Sequence, residues 1–171
     1  MSLLFLETTL QTYANELIGL KRADGKKNFF VVSDPENAES AIQAARNQLG
    51  WPCLLLEFPD QQYEENTTAD FVIIPLSLCV IKFNNQQENG VESIKNTIYT
   101  TCEPLLAQII ARFKKEAKAK TLKYNCAPIV FMPRIEGQWI GPIINTAHGY
   151  RYSFEIRVVK NPFKFEPTNW Q

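Results

Sequence analysis

The 171-residue sequence is poor in the residues on which most small-enzyme signatures depend. It has only 7 glycines, none grouped between a strand and a helix, which excludes the phosphate-cradling turns whose backbone must approach a nucleotide closely. It has a single histidine, His148, so neither H-E-x-x-H nor a finger-like zinc ligand set can be written, and no G-x-S-x-G elbow occurs. Charge of one sign is also missing. Lys+Arg 18 against Asp+Glu 18 leaves a formal net charge of +0, which removes the global positive field of generic nucleic-acid binders. No apolar run approaches the ~20 residues that a membrane helix needs. The opening Met1-Ser2-Leu3-Leu4-Phe5-Leu6 has no basic residue and stops at Glu7, so no export signal is expected and the chain reads as a soluble, cytoplasmic protein. C-x-x-C is absent as well. Cys53, Cys79, Cys102 and Cys126 stand 26, 23 and 24 residues apart, each in or beside an apolar segment, a pattern that suits reduced core thiols. Their even number leaves disulfides open. Neither a cofactor nor a metal is expected.

What is present is ordinary globular composition, 45% hydrophobic and 12% aromatic, in a length that suits one domain. Leu3, Leu6, Leu10, Tyr13, Ala14, Leu17 and Ile18 recur at three and four, the stripe of an amphipathic helix over residues 3–20. A short β-rich run follows at 28–32. Ser33-Asp34-Pro35 supplies a cap and a first-turn proline for a second helix, with Ala38, Ala41, Ile42, Ala45 and Leu49 inward, which Gly50 and Trp51-Pro52 end. Strands are predicted over 53–58 and 70–83, separated by a polar loop at 59–69 that carries the Asn66-Thr67-Thr68 sequon. Pro75 marks an edge or a bulge in the second of them.

Helical spacing returns from Val91 to about Ala119, with Pro104 inside it and expected to kink or split the helix. Strands are then predicted at 122–132, 140–144 after a turn at 133–139, and 150–158. In the last, Tyr150, Tyr152, Phe154, Ile156 and Val158 alternate with Arg151, Ser153, Glu155 and Arg157. The order α-β-α-β-β-α-β-β(-β) predicts an α+β fold, an antiparallel or mixed sheet packed by helices on one face. The domain spans 1–160, and 161–171 is an irregular tail.

Candidate chemistry is sparse. His148, before Gly149 and the last strand, reads either as a general base or as a turn or interface histidine, and Cys126 could join it as a thiol–imidazole pair. Glu64-Glu65 and Glu136 with Glu155 are carboxylate pairs that a cleft would have to bring together. The charge pattern is more informative. Arg112, Lys114, Lys115, Lys118, Lys120 and Lys123 face one anion, Glu116, while Glu57, Asp60, Glu64, Glu65 and Asp70 are accompanied by no cation. The basic run reads as a solvated helix end that complements the macrodipole, or as a contact patch for a second subunit or a nucleic acid.

The opening helix at 3–20, the loop-rich hairpin at 53–83 and Asn145-Thr146-Ala147-His148-Gly149-Tyr150-Arg151-Tyr152-Ser153-Phe154-Glu155-Ile156-Arg157 together resemble the tail-terminator and tail-completion (neck) proteins of long-tailed bacteriophages. That resemblance implies a non-enzymatic ring-former, typically a hexamer, that caps the tail tube, joins it to the neck and ends in the virion. Its partners would be further copies of itself and tail tube or neck proteins, with no membrane and no specific nucleic-acid recognition. The acidic residues Asp60, Glu64, Glu65 and Asp70 would then face either a subunit interface or the lumen. The alternative is a small-molecule-binding or catalytic α+β domain with its pocket between the long helix and the sheet.

Overall fold

A computed structural model describes residues 4–32, 38–57, 62–64, 71–83, 90–124, 127–143 and 146–159, with the backbone alone at 62–64, 71 and 159. The fold is α+β, built on a mixed sheet. Helix α1 (Leu4–Glu16) precedes β1 (Lys27–Val32), α2 (Ala38–Ala45), β2 (Leu49–Glu57), β3 (Gln62–Glu64) and β4 (Phe71–Phe83). Then come α3 (Val91–Thr97), a π-helical turn (Ile98–Cys102), α4 (Glu103–Lys118), β5 (Lys123–Tyr124), β6 (Ala127–Ile143) and β7 (Ala147–Val159). Among the described residues the strands form one seven-stranded sheet in the order β1-β2-β4-β7-β6-β5, with β3 also on β4.

The β1–β2 pair is parallel because α2 crosses between them, and the other pairs are antiparallel. β4 and β7 are matched residue for residue from Phe71↔Val159 to Phe83↔Ala147. This pair is the spine of the molecule. Even-numbered residues of both strands, Val72, Ile74, Leu76, Leu78, Phe154, Ile156 and Val158, turn to one face and meet Leu6, Leu10 and Tyr13 of α1 and Leu106, Ile109 and Phe113 of α4. At ~25 cal/mol per Å² of apolar surface, this layer is the main stabilising term.

The two long helical elements thus share one face, as expected, while α2 does not. Its Ile42 lies with Cys53, Leu55, Cys79 and Ile81, which alternate onto the opposite face. Several boundaries also differ from expectation. Leu17 and Ile18 fall beyond α1, and Ile18 is exposed. α2 stops at Ala45 because the chain is taken up at Leu49 by β2, so Gly50 and Trp51-Pro52 lie in a strand instead of closing a helix. The loop at 59–69 contains β3. Pro75 sits on an interior strand but at a position that is locally an edge. It falls between the residues of β4 paired with β3 (71–73) and those paired with β2 (77–81), where no ladder donor is required on that side.

Pro104 does interrupt its helix. The chain stays helical through it, but the turn before it widens to π geometry, which accommodates a proline that lacks an N–H at the start of α4. The three segments predicted over 122–144 are instead a two-residue β5 and one 17-residue strand, β6, whose register shifts between Phe131 and Ile135. Ser33 and Pro35, the sequon and the 161–171 tail lie outside the described residues.

Candidate functional site

The basic cluster is built by the end of α4. Lys114, Lys115 and Lys118 are exposed on its last two turns, and Lys123 follows, also exposed, on β5. The helix closes in a Schellman arrangement, with Lys120 N–H on the Ala117 carbonyl (3.0 Å) and Thr121 N–H on the Glu116 carbonyl (3.0 Å). Lys120 takes the left-handed position of that motif, at φ 58. Arg112 stands apart from the others. It donates to Glu116 (2.8 Å) and Glu16 (2.5 Å) and lies over the Tyr13 ring, so it ties α4 to α1 instead of offering a free charge.

Between α4 and the start of β6 runs a groove of about 1270 Å³. Its floor is Ile110, Ile129, Phe131, Ile135 and Tyr152, and Lys114, Lys115, Lys118 and Lys120 rim it. Phe131 stacks on Phe154 at 4.9 Å, and the Lys114 ammonium lies 5.6 Å from the Phe131 ring. None of the four rim lysines has an ion pair among the described residues. The arrangement is suited to an acidic group carried on an apolar segment.

The acidic candidates are placed less fully. Glu57 belongs to β2, not to a loop, and is ion-paired with Arg151 on β7. Glu64 is the last residue of β3, and Asp60, Glu65 and Asp70 lie outside the described residues. Of the carboxylates Glu136 and Glu155, Glu136 is opposite Ser153 on β7 and bonded to Arg134, and Glu155 is opposite Pro75 of β4.

A second concavity, about 480 Å³, lies at the other end of the sheet between α3, the π turn and the end of β6. Val91, Ile94, Ile98, Tyr99, Trp139, Pro142 and His148 line it with Lys95 at its mouth. His148 is only 4% exposed, and its Nδ1 has no hydrogen-bond partner among the described residues. Burial holds this imidazole below its ordinary pKa, so it is neutral at pH 7. The nitrogen packs against Gly141, whose φ of +129 suits glycine alone and where an added Cβ would come within 2.6 Å.

Cys126 lies outside the described residues, so the thiol–imidazole pairing concerns atoms the structure does not describe. Cys53, Cys79 and Cys102 are free and buried, as the sequence suggested, and burial pushes each thiol up to about 12. These are packing residues, not nucleophiles. Among the described residues no group of acids, cysteines and histidine could hold a metal ion, and no helix is long and apolar enough to cross a membrane. The sequence places a pocket between the long helix and the sheet, where the larger groove lies, but names none of the β6 residues that line it and gives no sign of the second concavity. Trp139 and Tyr99 are 56% and 55% exposed, yet one was assigned to a turn and the other to an ordinary helix. Comparison of the sequence with protein-family models and with curated proteins finds no match.

Proposed function

We propose that the protein is a non-enzymatic assembly subunit that forms a homo-oligomeric ring of the phage tail-terminator type. It would assemble in the cytoplasm, cap a tail tube, join it to the neck and be carried in the virion. The observation that supports this reading is the open side of β6. Beyond Pro128, no strand pairs with the side of β6 away from β7 among the described residues. Val130 (49% exposed) and Trp139 lie along it. A long unpaired strand that displays apolar side chains is a liability in a monomer and a joint in an assembly.

The opposite margin of the sheet, β1, is also unpaired on its outer side among the described residues. The two margins differ in sequence and length, so a contact between them is head-to-tail, the kind that closes into a ring when the rotation permits. Native mass spectrometry and light scattering over a range of concentrations test the reading. A discrete ring that binds tail tube protein is expected. A strict monomer that binds no tail tube protein would overturn it.

The cavity at His148 supports a second reading, a small-molecule-binding or catalytic domain. A largely apolar pocket with one buried, unpartnered polar group is how ligand sites are commonly built. Native mass spectrometry with a metabolite mixture, repeated on His148→Ala and Cys126→Ala, decides it: a retained ligand lost on substitution supports this reading, and no ligand removes it.

A further inference from the structure

We infer that the groove between α4 and β6 is the receptor for the acidic 58–70 segment of a second copy of this chain. This rests on the ring reading above and names the contact that would hold the ring together. Four rim lysines, Lys114, Lys115, Lys118 and Lys120, surround an apolar floor and have no ion pair among the described residues. The complementary stretch with the most acidic residues and with aromatic companions is 58–70. Once Glu57 is assigned to Arg151, Asp60, Glu64, Glu65 and Asp70 remain, with no cation among them and with Phe58, Pro59 and Tyr63 as apolar companions for the floor. The two patches match in both respects, four charges against four and apolar residues against an apolar floor.

The strand ladder argues that the match is made between copies. β3 lies on the side of β4 away from β7, with Glu64 opposite Phe71. At the same end of the sheet the groove lies at Pro128 and Ile129 of β6, beyond β7, while Tyr152 of β7 is seven positions along the strand from Val159, the residue opposite Phe71. From β3 to β6 is three strand spacings, about 14 Å. Glu64 and Phe71 are paired, and a six-residue connection between paired strand ends extends at most about 10 Å from the ladder. A chain therefore cannot readily fill its own groove with the tip of this hairpin. Because donor segment and acceptor groove are different patches, each copy gives one contact and receives one, which propagates around a ring.

Two variants test this, Lys114→Glu/Lys118→Glu and Glu64→Lys/Glu65→Lys, each checked for folding by circular dichroism and sized by native mass spectrometry. Each alone is expected to weaken assembly at least tenfold. Mixed in equal amounts they are expected to reassemble as alternating copies, since half of the contacts are then wild-type on wild-type and in the other half the two reversed charges of the groove again face two reversed charges of the segment. A wild-type monomer removes the ring reading itself. A wild-type ring that both variants preserve, or that their mixture fails to restore, leaves the ring standing and overturns this contact.

Discussion

Tyr13→Phe isolates the link between α1 and α4. The Tyr13 ring is buried against Phe113, and its hydroxyl donates to Glu116 Oε2 at 2.6 Å. Phenylalanine keeps the ring and removes only that bond. Hydrogen bonds to charged groups contribute about 1.5–3 kcal/mol. Glu116 is partly in water and keeps its bond from Arg112, so the lower half applies, about 1.5–2 kcal/mol, or roughly 3–8 °C in Tm for a chain of this size. Burial pushes the Glu116 carboxyl up, but the bonds from Arg112 and Tyr13 outweigh it and hold its pKa below the ordinary value. A carboxylate lowered in the folded state contributes stability above its unfolded pKa, near 4.3, and loses it as pH falls below that. The deficit of Tyr13→Phe should therefore be full at pH 7 and shrink by pH 3.5. Urea unfolding at both values, in a double-mutant cycle with Glu116→Gln, measures it. Equal deficits at the two pH values, or no coupling between the substitutions, would refute the assignment to an ionised Glu116.

Gly149→Ala should cost about 2–3 kcal/mol, because its Cβ would stand 2.3 Å from the Val80 carbonyl oxygen across the β4–β7 ladder. Gly90→Ala, with nothing within 4 Å, is the control, and equal unfolding midpoints for the two would contradict the ladder. His148 is lowered by burial, so its contribution is complete above about pH 6.5 and declines as pH falls. Wild-type stability should drop between pH 6.5 and 5 by no more than ~1.4 kcal/mol per pH unit from this group, and His148→Gln should flatten that limb; parallel limbs would exclude it. In a Cys126→Ala background no thiol should react with Ellman's reagent at pH 8 until denaturant is added, when three should. A reactive thiol in the folded protein would contradict the burial of Cys53, Cys79 and Cys102. Lys120→Gly should stabilise by about 1 kcal/mol, since glycine takes a positive φ without the Cβ clash that lysine bears there, and an unchanged midpoint would place that position elsewhere.

The parts of the fold legible in the sequence are those whose burial repeats locally. Leu6, Leu10 and Tyr13, the stripe from Ile98 to Phe113, and the alternation from Tyr150 to Val158 all report their inward face. The parts that were not legible are set by partners distant in the chain. Gly50 and Pro52 punctuate a helix in isolation, but Leu49 and Leu54–Glu57 are held by β1 across a parallel ladder, and that pairing recruits the punctuators into β2. β6 is the stronger case. Pro133 and Gly137 predict a turn at 133–139, yet a register shift beside Pro133, like the one beside Pro142, takes up the residues that cannot pair. Gly137 meanwhile leaves the space that the Tyr150 and Tyr152 rings fill, since a Cβ there would lie 2.8 Å from Tyr152.

The same division separates the charge from its site. The lysine run is visible in the sequence, but a run on a helix end reads equally as solvated charge, and the residues that make it a groove lie elsewhere. The nearest aromatic, Phe113, faces the core as expected and is fully buried, so it does nothing for the lysines beside it. Their apolar partners are Phe131, on a segment the sequence predicts as a strand, and Ile135, in the segment it reads as a turn; Phe131 is positioned by stacking on Phe154 of β7. Reading the groove therefore required β6 to be continuous and registered on β7. Once it is, the uncompensated lysines acquire an apolar floor, and a basic surface becomes one that discriminates an acidic segment with aromatic residues from a free anion.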